Sequence, residues 1–270
     1  MLGASKSSLN FSTEQGFGNS LMRVGGLLYL GGVAGLGAVE MLLAEPMAGF
    51  HPNIEAGVAA RLSGGALIIA SLFSIPERPM RKLATTFLAL LWAGSVALIL
   101  ARPDRFDVAT SVAVSEALLM AATAFYLGAR TDRRALAMRL AFAAMLLLFG
   151  AVHLTYRSAI SAMIPAWLPA ASLWPWATGG VMLAAGLISL SRARSRQAGL
   201  IIAAMFSSWI PLVHLARIVG NIGSAEEWTF ALTAVSLIGA ALVVATVQPE
   251  PSNGQFSDSR REGPNGRSNA

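Results

Sequence analysis

The sequence contains no cysteine and few charged residues. Of its 270 residues, none is cysteine and only 13% are charged. The lack of cysteine excludes disulfides, thiolate metal ligands and a dithiol relay built from the chain's own residues, so redox chemistry would need a cofactor or a partner. The chain also has no HExxH, P-loop, GxGxxG or GxSxG pattern, which excludes the common motif-based enzymes.

Apolar residues dominate instead. They make up 55% of the chain, and the mean hydropathy is +0.60. Runs of roughly 18 to 25 apolar residues predict eight transmembrane helices, at about 24 to 44, 58 to 75, 83 to 101, 109 to 129, 135 to 156, 172 to 191, 198 to 217 and 228 to 247. The runs are continuous rather than alternating, so we predict an all-α polytopic membrane protein.

The basic residues predict the orientation of this bundle. Many of them lie in the N-terminal segment, the even-numbered loops or the tail, among them Lys6, Arg23, Arg78, Arg81, Lys82, Arg130, Arg133, Arg134, Arg192, Arg194, Arg196, Arg260 and Arg261. By the positive-inside rule both termini are cytoplasmic, in a cell membrane that we expect to be a bacterial inner membrane. The net charge of +6 therefore reflects topology, and no nucleic-acid partner is expected.

Matching residues recur in the two halves of the chain. GAVE at 37 to 40 resembles GAVH at 150 to 153, and a proline follows each motif after twelve residues. The further matches are Gly64-Gly65 with Gly179-Gly180, and Leu100-Ala101-Arg102 with Leu215-Ala216-Arg217. We therefore predict two four-helix repeats, and an even number of helices in each makes the repeat parallel.

This repeat divides the chain into four parts. They are a cytoplasmic N-terminal segment at 1–22, a first four-helix repeat at 23–129, a second at 130–248 and a cytoplasmic tail at 249–270. The tail is polar and rich in Gly, Ser and Pro, which predicts disorder.

Almost every ionisable residue within or bordering the spans lies toward the predicted outer side. These residues are Glu40, His51, Arg61, Arg102, Glu116, His153, Tyr156, Arg157, His214 and Arg217. Such residues are costly in a membrane and usually face a bundle interior or a polar cavity, so we predict an outward-opening binding site. The alternative is that the arginine side chains only extend to the membrane–water interface, and that the remaining groups make structural hydrogen bonds or ion pairs.

Two histidines suggest what such a site could bind. His153 precedes Arg157 by four residues and His214 precedes Arg217 by three, so each pair shares a helix face. A neighbouring guanidinium disfavours a charged imidazole, and a neutral histidine can hydrogen-bond a quinone, transfer a proton or ligate a metal. A bis-histidine haem is disfavoured because CxxCH is missing and no spacing fixes the pair. No metal site is predicted.

A family pattern occurs in the segment FGAVHLTYRSAISAMIPAWLPAASLWPWATGGVMLAAGLISLSRARSRQAGL of the second half. Gly150 and His153 end a first helix, Pro165 and Pro169 occupy the outer loop, and Gly179 lies in a second helix. This pattern is a resemblance to the DoxX-like membrane family. It covers roughly residues 139 to 247 and reaches the first half only through the repeat, where Glu40 replaces the histidine. The family is usually one four-helix unit, so this chain looks like a tandem of two.

The resemblance implies a role beside redox enzymes. Some members look like membrane subunits of oxidoreductase assemblies, including thiosulfate:quinone oxidoreductase, and others are linked to oxidative-stress complexes. It implies a non-catalytic or quinone-binding membrane subunit rather than a stand-alone enzyme, with lipids and a redox protein or another membrane subunit as partners. The alternatives are a transporter or lipid-handling protein, and a structural subunit of a larger membrane complex.

Overall fold

The chain forms helices and connecting turns, with no strand, over the ranges that its computed structural model describes, residues 4–43, 56–75, 79–101 and 108–247. The α-helices are α1 (Ala4–Leu43), α2 (Ala56–Phe73), α3 (Met80–Leu100), α4 (Val108–Gly128), α5 (Asp132–Thr155), α6 (Arg157–Ala162), α7 (Trp174–Ser189), α8 (Ser195–Trp209), α9 (Leu215–Gly220) and α10 (Ala225–Val244). A 3-10 turn at Ala171–Leu173 precedes α7, and a π-helical turn at Ile210–His214 joins α8 to α9.

The described helices have the dimensions of membrane spans. Seven segments are long and apolar enough to cross a bilayer, and Gly57–Phe73 in α2 is a shorter apolar helix. Large aliphatic side chains face outward, among them Leu42, which is 81% exposed, and Leu83, which is 76% exposed. Because so many large apolar groups could not face water, the architecture is that of a multi-pass helical membrane protein.

Several helix boundaries differ from the predicted runs. Helix α1 begins at Ala4, about twenty residues before the first apolar run, because a helix continues through polar residues beyond the bilayer while an apolar run ends there. The seventh run, at 198 to 217, is interrupted at Pro211 by the π-helical turn. Proline removes an intrahelical hydrogen bond, which accounts for the interruption. The short helix α6 was not predicted from apolarity.

The long helices form a closed ring. Helix α1 packs against both α2 and α10, and contacts continue from α3 to α4, α4 to α5, α5 to α7, α7 to α8 and α8 to α10. The contact between α2 and α3 completes the ring. Its interior contains the fully buried side chains of Tyr29, Leu88, Leu119, Phe142 and Phe206.

Glycines allow close approach at corresponding points of two helix pairs. A Cβ on Gly64 would collide with the carbonyl oxygen of Gly37, which joins α2 to α1. A Cβ on Gly179 would lie 3.1 Å from the carbonyl oxygen of Gly150, which joins α7 to α5. Small residues at such crossings let helix backbones come together in a membrane. The same Cβ atoms would lie 3.1 Å from Cβ of Glu40 and 3.1 Å from Cβ of His153, respectively.

The two ends of the bundle differ in charge. At one end α4 leads into α5 and α7 leads into α8. These two turns and the first residues of the helices that follow them contain Arg130, Arg133, Arg134, Arg192, Arg194 and Arg196. We call this the basic end. Thr131 caps α5 there, because its side chain accepts a hydrogen bond from the backbone N–H of Arg134. The opposite end contains a cavity and is called the cavity end.

Candidate functional site

The cavity end contains an internal space of about 470 Å³. Its walls come from the C-terminal parts of α3 and α5, the N-terminal parts of α4, α7 and α10, and the irregular region between α8 and α9. Ile160 and Met163, with Ile164 and Leu168, also line it, so α6 and the loop after it cover part of the space. Pockets of roughly 300 to 1,000 Å³ are typical of small-molecule sites.

Aromatic side chains form much of the cavity wall. They are Trp92, Phe149, Trp174, Phe206, Trp209 and Phe230. The ring of Trp209 contacts that of Phe206, with centroids 5.2 Å apart and planes inclined by 51°. Aromatic walls favour an apolar ligand and offer surfaces on which a planar ring can stack.

His153 brings an oriented imidazole into this wall. Its ring stacks on Trp209, with centroids 5.9 Å apart and an interplanar angle of 19°. Its Nδ1 lies 2.8 Å from the carbonyl oxygen of Phe149, which can only accept, so Nδ1 is the donor. In the neutral tautomer that this contact selects, Nε2 carries a lone pair and can accept a hydrogen bond from a ligand.

Glu116 places a carboxyl group in the same cavity. It lies on α4 one turn before Met120, which also lines the space. No hydrogen bond or ion pair joins its carboxyl group to any residue in the described part of the chain. An unpaired carboxylate among apolar side chains is costly, so a ligand that offers a donor or a positive charge would be stabilised here.

His214 reaches the cavity from the π-helical turn. This turn, at Ile210–His214, also brings Leu212 and Val213 to the wall. Nδ1 of His214 is buried and has no hydrogen-bond partner among the described residues. Single π-helical turns often occur at functional sites because they redirect side chains.

Arg217 lies at the cavity but is already paired. Its Nε donates to Oε2 of Glu227 at 2.6 Å and its Nη2 donates to Oε1 at 2.7 Å. Both side chains are largely buried, at 26% and 14% exposed. This bidentate pair joins α9 to the first turn of α10, where Ser224 accepts a hydrogen bond from the backbone N–H of Glu227. Arg217 is therefore a structural link at the cavity wall.

Glu226 also lines the cavity. Neither Glu226 nor its neighbour Glu227 was predicted as a site residue from the sequence. The signal was available, because Ser224 followed three residues later by Glu227 is the pattern of a capping box. Here the glutamate side chain binds Arg217 instead of returning to the backbone N–H of the cap.

The other predicted site residues lie apart from the cavity. Glu40 is fully buried between α1 and α2, and the hydroxyl of Ser63 donates to its Oε2 at 2.8 Å. Arg61 and Tyr156 are exposed. Arg157 is exposed as well, and its Nη1 donates to the carbonyl oxygen of Leu154 at 3.3 Å, near the end of α5.

His51 and Arg102 lie outside the described residues. Of the predicted set, the structure thus brings Glu116, His153, His214 and Arg217 together.

The cavity can therefore hold an apolar molecule with a ring and a polar edge. His153 supplies a hydrogen-bond acceptor, and His214 supplies a ring nitrogen that donates or accepts according to its tautomer. Glu116 supplies a carboxyl group, and the rest of the wall is largely apolar. Comparison of the chain with family models, with curated proteins and with solved structures returns no match.

Proposed function

We propose that this membrane protein is a DoxX-like subunit that binds a quinone, or a similar ring compound with oxygen substituents, in the cavity. The observation that carries the proposal is the imidazole of His153, stacked on Trp209 with Nδ1 fixed by the Phe149 carbonyl. A quinone ring needs flat apolar surfaces and a few directed polar groups, and the wall of this cavity has both.

The tautomer of His153 favours the reduced form of such a ligand. A quinol hydroxyl donates a hydrogen bond, and Nε2 of neutral His153 accepts one. Glu116 can accept a second hydrogen bond from α4. The oxidised form offers only carbonyl acceptors, for which His214 is a candidate donor, since its Nδ1 has no partner among the described residues. The site thus binds quinol more tightly than quinone.

The proposal includes eight spans in two parallel repeats, with α2 as the eighth span. Two features support it. The close pairs α1 with α2 and α5 with α7 occupy equivalent places in the ring, as do α3 with α4 and α8 with α10. Gly37 with Gly64 and Gly150 with Gly179 mediate the first two contacts. The α6 region then corresponds to part of the outer loop of the second repeat.

In this proposal the basic end is cytoplasmic and the cavity opens at the outer face of a bacterial inner membrane. The arginines of the α4–α5 and α7–α8 turns support that orientation. Because the chain has no cysteine, electrons from a bound quinol would pass to a partner redox protein or another membrane subunit.

Tryptophan fluorescence offers a direct test, since Trp92, Trp174 and Trp209 line the cavity. A short-chain quinol should quench the fluorescence of purified protein saturably. His153→Phe retains a ring against Trp209 but removes Nε2, so it should weaken binding about threefold to tenfold, the effect of one hydrogen bond. Glu116→Gln should weaken it similarly.

Arg61→Gln is the matched control, because Arg61 is exposed and does not line the cavity. It should leave the affinity unchanged. Quinone extraction from gently solubilised wild-type protein gives an independent measurement. No saturable quenching together with no extracted quinone would refute the proposal.

A transporter is the second candidate, because a broken helix forms part of the cavity wall. The π-helical turn with Pro211 interrupts the seventh predicted span beside the site, and discontinuous helices line substrate sites in many transporters. Transport predicts flux of a small apolar acid or phenol into proteoliposomes, abolished by blocking the cavity with Ala234→Trp. A quinone-binding subunit predicts binding without flux.

A further inference from the structure

Arg139 is a buried cation that has no counter-ion among the described residues. It lies on α5 and is 8% exposed, and its buried Nη1 makes no hydrogen bond within that part of the chain. No hydrogen bond or ion pair joins its guanidinium to any residue within the described ranges. A buried charge is costly unless it is paired, so Arg139 requires an anion that these residues do not supply.

Arg139 lies at the basic end of the contact between α5 and α7. It precedes Ala143 by four residues on the same helix face, and a Cβ on Gly186 of α7 would lie 3.2 Å from the carbonyl oxygen of Ala143. It follows Asp132, the first residue of α5, by two turns, so its Cα is about 10 Å inside the helix start. Its long side chain can extend toward the lipid headgroup level.

Neighbouring charges do not neutralise Arg139. Arg192, in the α7–α8 turn, lies near enough for the two positive charges to repel. The carboxylate of Asp132 lies 2.8 Å from Nη2 of Arg192 and is engaged there. Asp132 therefore pairs with Arg192 and makes no ion pair with Arg139.

We propose that Arg139 binds the phosphate of an anionic phospholipid at the basic end of the α5–α7 contact. A guanidinium matches a phosphate group in charge and in bidentate geometry. Basic sites between membrane helices are suited to anionic headgroups. A soluble anion would have to leave water to reach a side chain within the span, whereas a lipid phosphate already lies near this depth.

Native mass spectrometry of the full-length protein tests this site. Protein equilibrated with phosphatidylglycerol should retain one lipid, and protein in phosphatidylcholine should not. Arg139→Gln should retain phosphatidylglycerol at least about tenfold less well, since it loses charged hydrogen bonds. Arg133→Gln is the matched control, because Arg133 is an exposed arginine of the same end, and it should bind like the wild type. Equal retention by Arg139→Gln and wild type overturns the proposal.

Thermal stability in the two lipids provides a second readout. The wild type should melt higher in phosphatidylglycerol than in phosphatidylcholine, and Arg139→Gln should melt alike in both. If Arg139→Gln does not fold, Arg139→Lys replaces it: weaker retention than wild type supports the site, and equal retention contradicts a bidentate contact. Inorganic phosphate that stabilises wild type in phosphatidylcholine as much as the anionic lipid does would refute the lipid as the ligand.

Discussion

The glycine pair Gly64-Gly65 offers a sharp test of the packing between α1 and α2. An alanine at 64 would place its Cβ against the carbonyl oxygen of Gly37 and 2.9 Å from Cγ of Met41. An alanine at 65 would meet only Sδ of Met41, at 3.9 Å. A side chain is therefore too crowded at position 64 but has room at position 65, although the two positions are adjacent on one helix.

Two opposing effects on the free energy of unfolding have to be compared. Overpacking costs about 1 to 3 kcal/mol, and replacing a helical glycine with alanine gains about 0.5 to 1 kcal/mol. Gly64→Ala should thus lower the free energy of unfolding by about 1 to 2 kcal/mol. Gly65→Ala should be neutral or should raise it by up to about 1 kcal/mol.

Thermal unfolding in one detergent measures both variants. The difference of about 2 kcal/mol corresponds to roughly 4 to 8 °C in Tm for a chain of this size. Gly179→Ala and Gly180→Ala form the equivalent pair on α7, where the nearest contacts of the first are 3.0 to 3.1 Å and the second has none within 4 Å. If Gly64→Ala melts at or above Gly65→Ala, the close approach of α1 and α2 is wrong.

Three other substitutions are expected to change stability measurably. Glu227→Gln breaks the bidentate pair at the cavity and should cost about 1 to 3 kcal/mol in denaturant unfolding, whereas Glu226→Gln should cost little; equal effects would contradict the pairing. Tyr29→Phe removes a buried hydroxyl that donates to a backbone carbonyl at 2.8 Å and should cost about 0.5 to 1.5 kcal/mol, while the exposed control Tyr156→Phe should melt like wild type. Ala170 has φ of 54°, so Ala170→Gly should raise Tm by relieving left-handed strain of about 1 kcal/mol; a lower Tm would argue against that backbone conformation.

The helical membrane architecture was predictable because the bilayer imposes long apolar runs. Positions such as 135 to 156 correspond closely to α5, Asp132–Thr155. The extension of α1 back to Ala4 was not predictable from apolarity, since nothing in a hydropathy profile marks a helix that continues into polar surroundings. The short helix α6 was not predicted for a related reason, because six residues are too few for a span.

The candidate site was only partly accessible from sequence. Chain direction predicted that Glu116, His153, His214 and Arg217 lie at one end, and they line one cavity. Spacing does not reveal helix rotation, however, and rotation places Glu40 in the contact between α1 and α2. Arg217 pairs with Glu227, ten residues later, across the turn between α9 and α10. The course of that turn cannot be inferred from apolar runs, so the pairing was not predicted.

Glu40 and His153 hold equivalent positions in the proposed repeat but have different surroundings. Glu40 lies beside the close approach at Gly64, and His153 lies beside the one at Gly179. Ser63 and Thr178 directly precede these two glycines. The hydroxyl of Ser63 lies within hydrogen-bond distance of both Glu40 Oε2 and the carbonyl oxygen of Ala59, whereas that of Thr178 donates to the carbonyl oxygen of Trp174. In the first half the carboxylate is thus held within the helix contact, while in the second the imidazole turns to an aromatic wall. The proposed ligand site depends on this difference, because His153 lines the cavity whereas the carboxyl group of Glu40 is buried and accepts a hydrogen bond from Ser63.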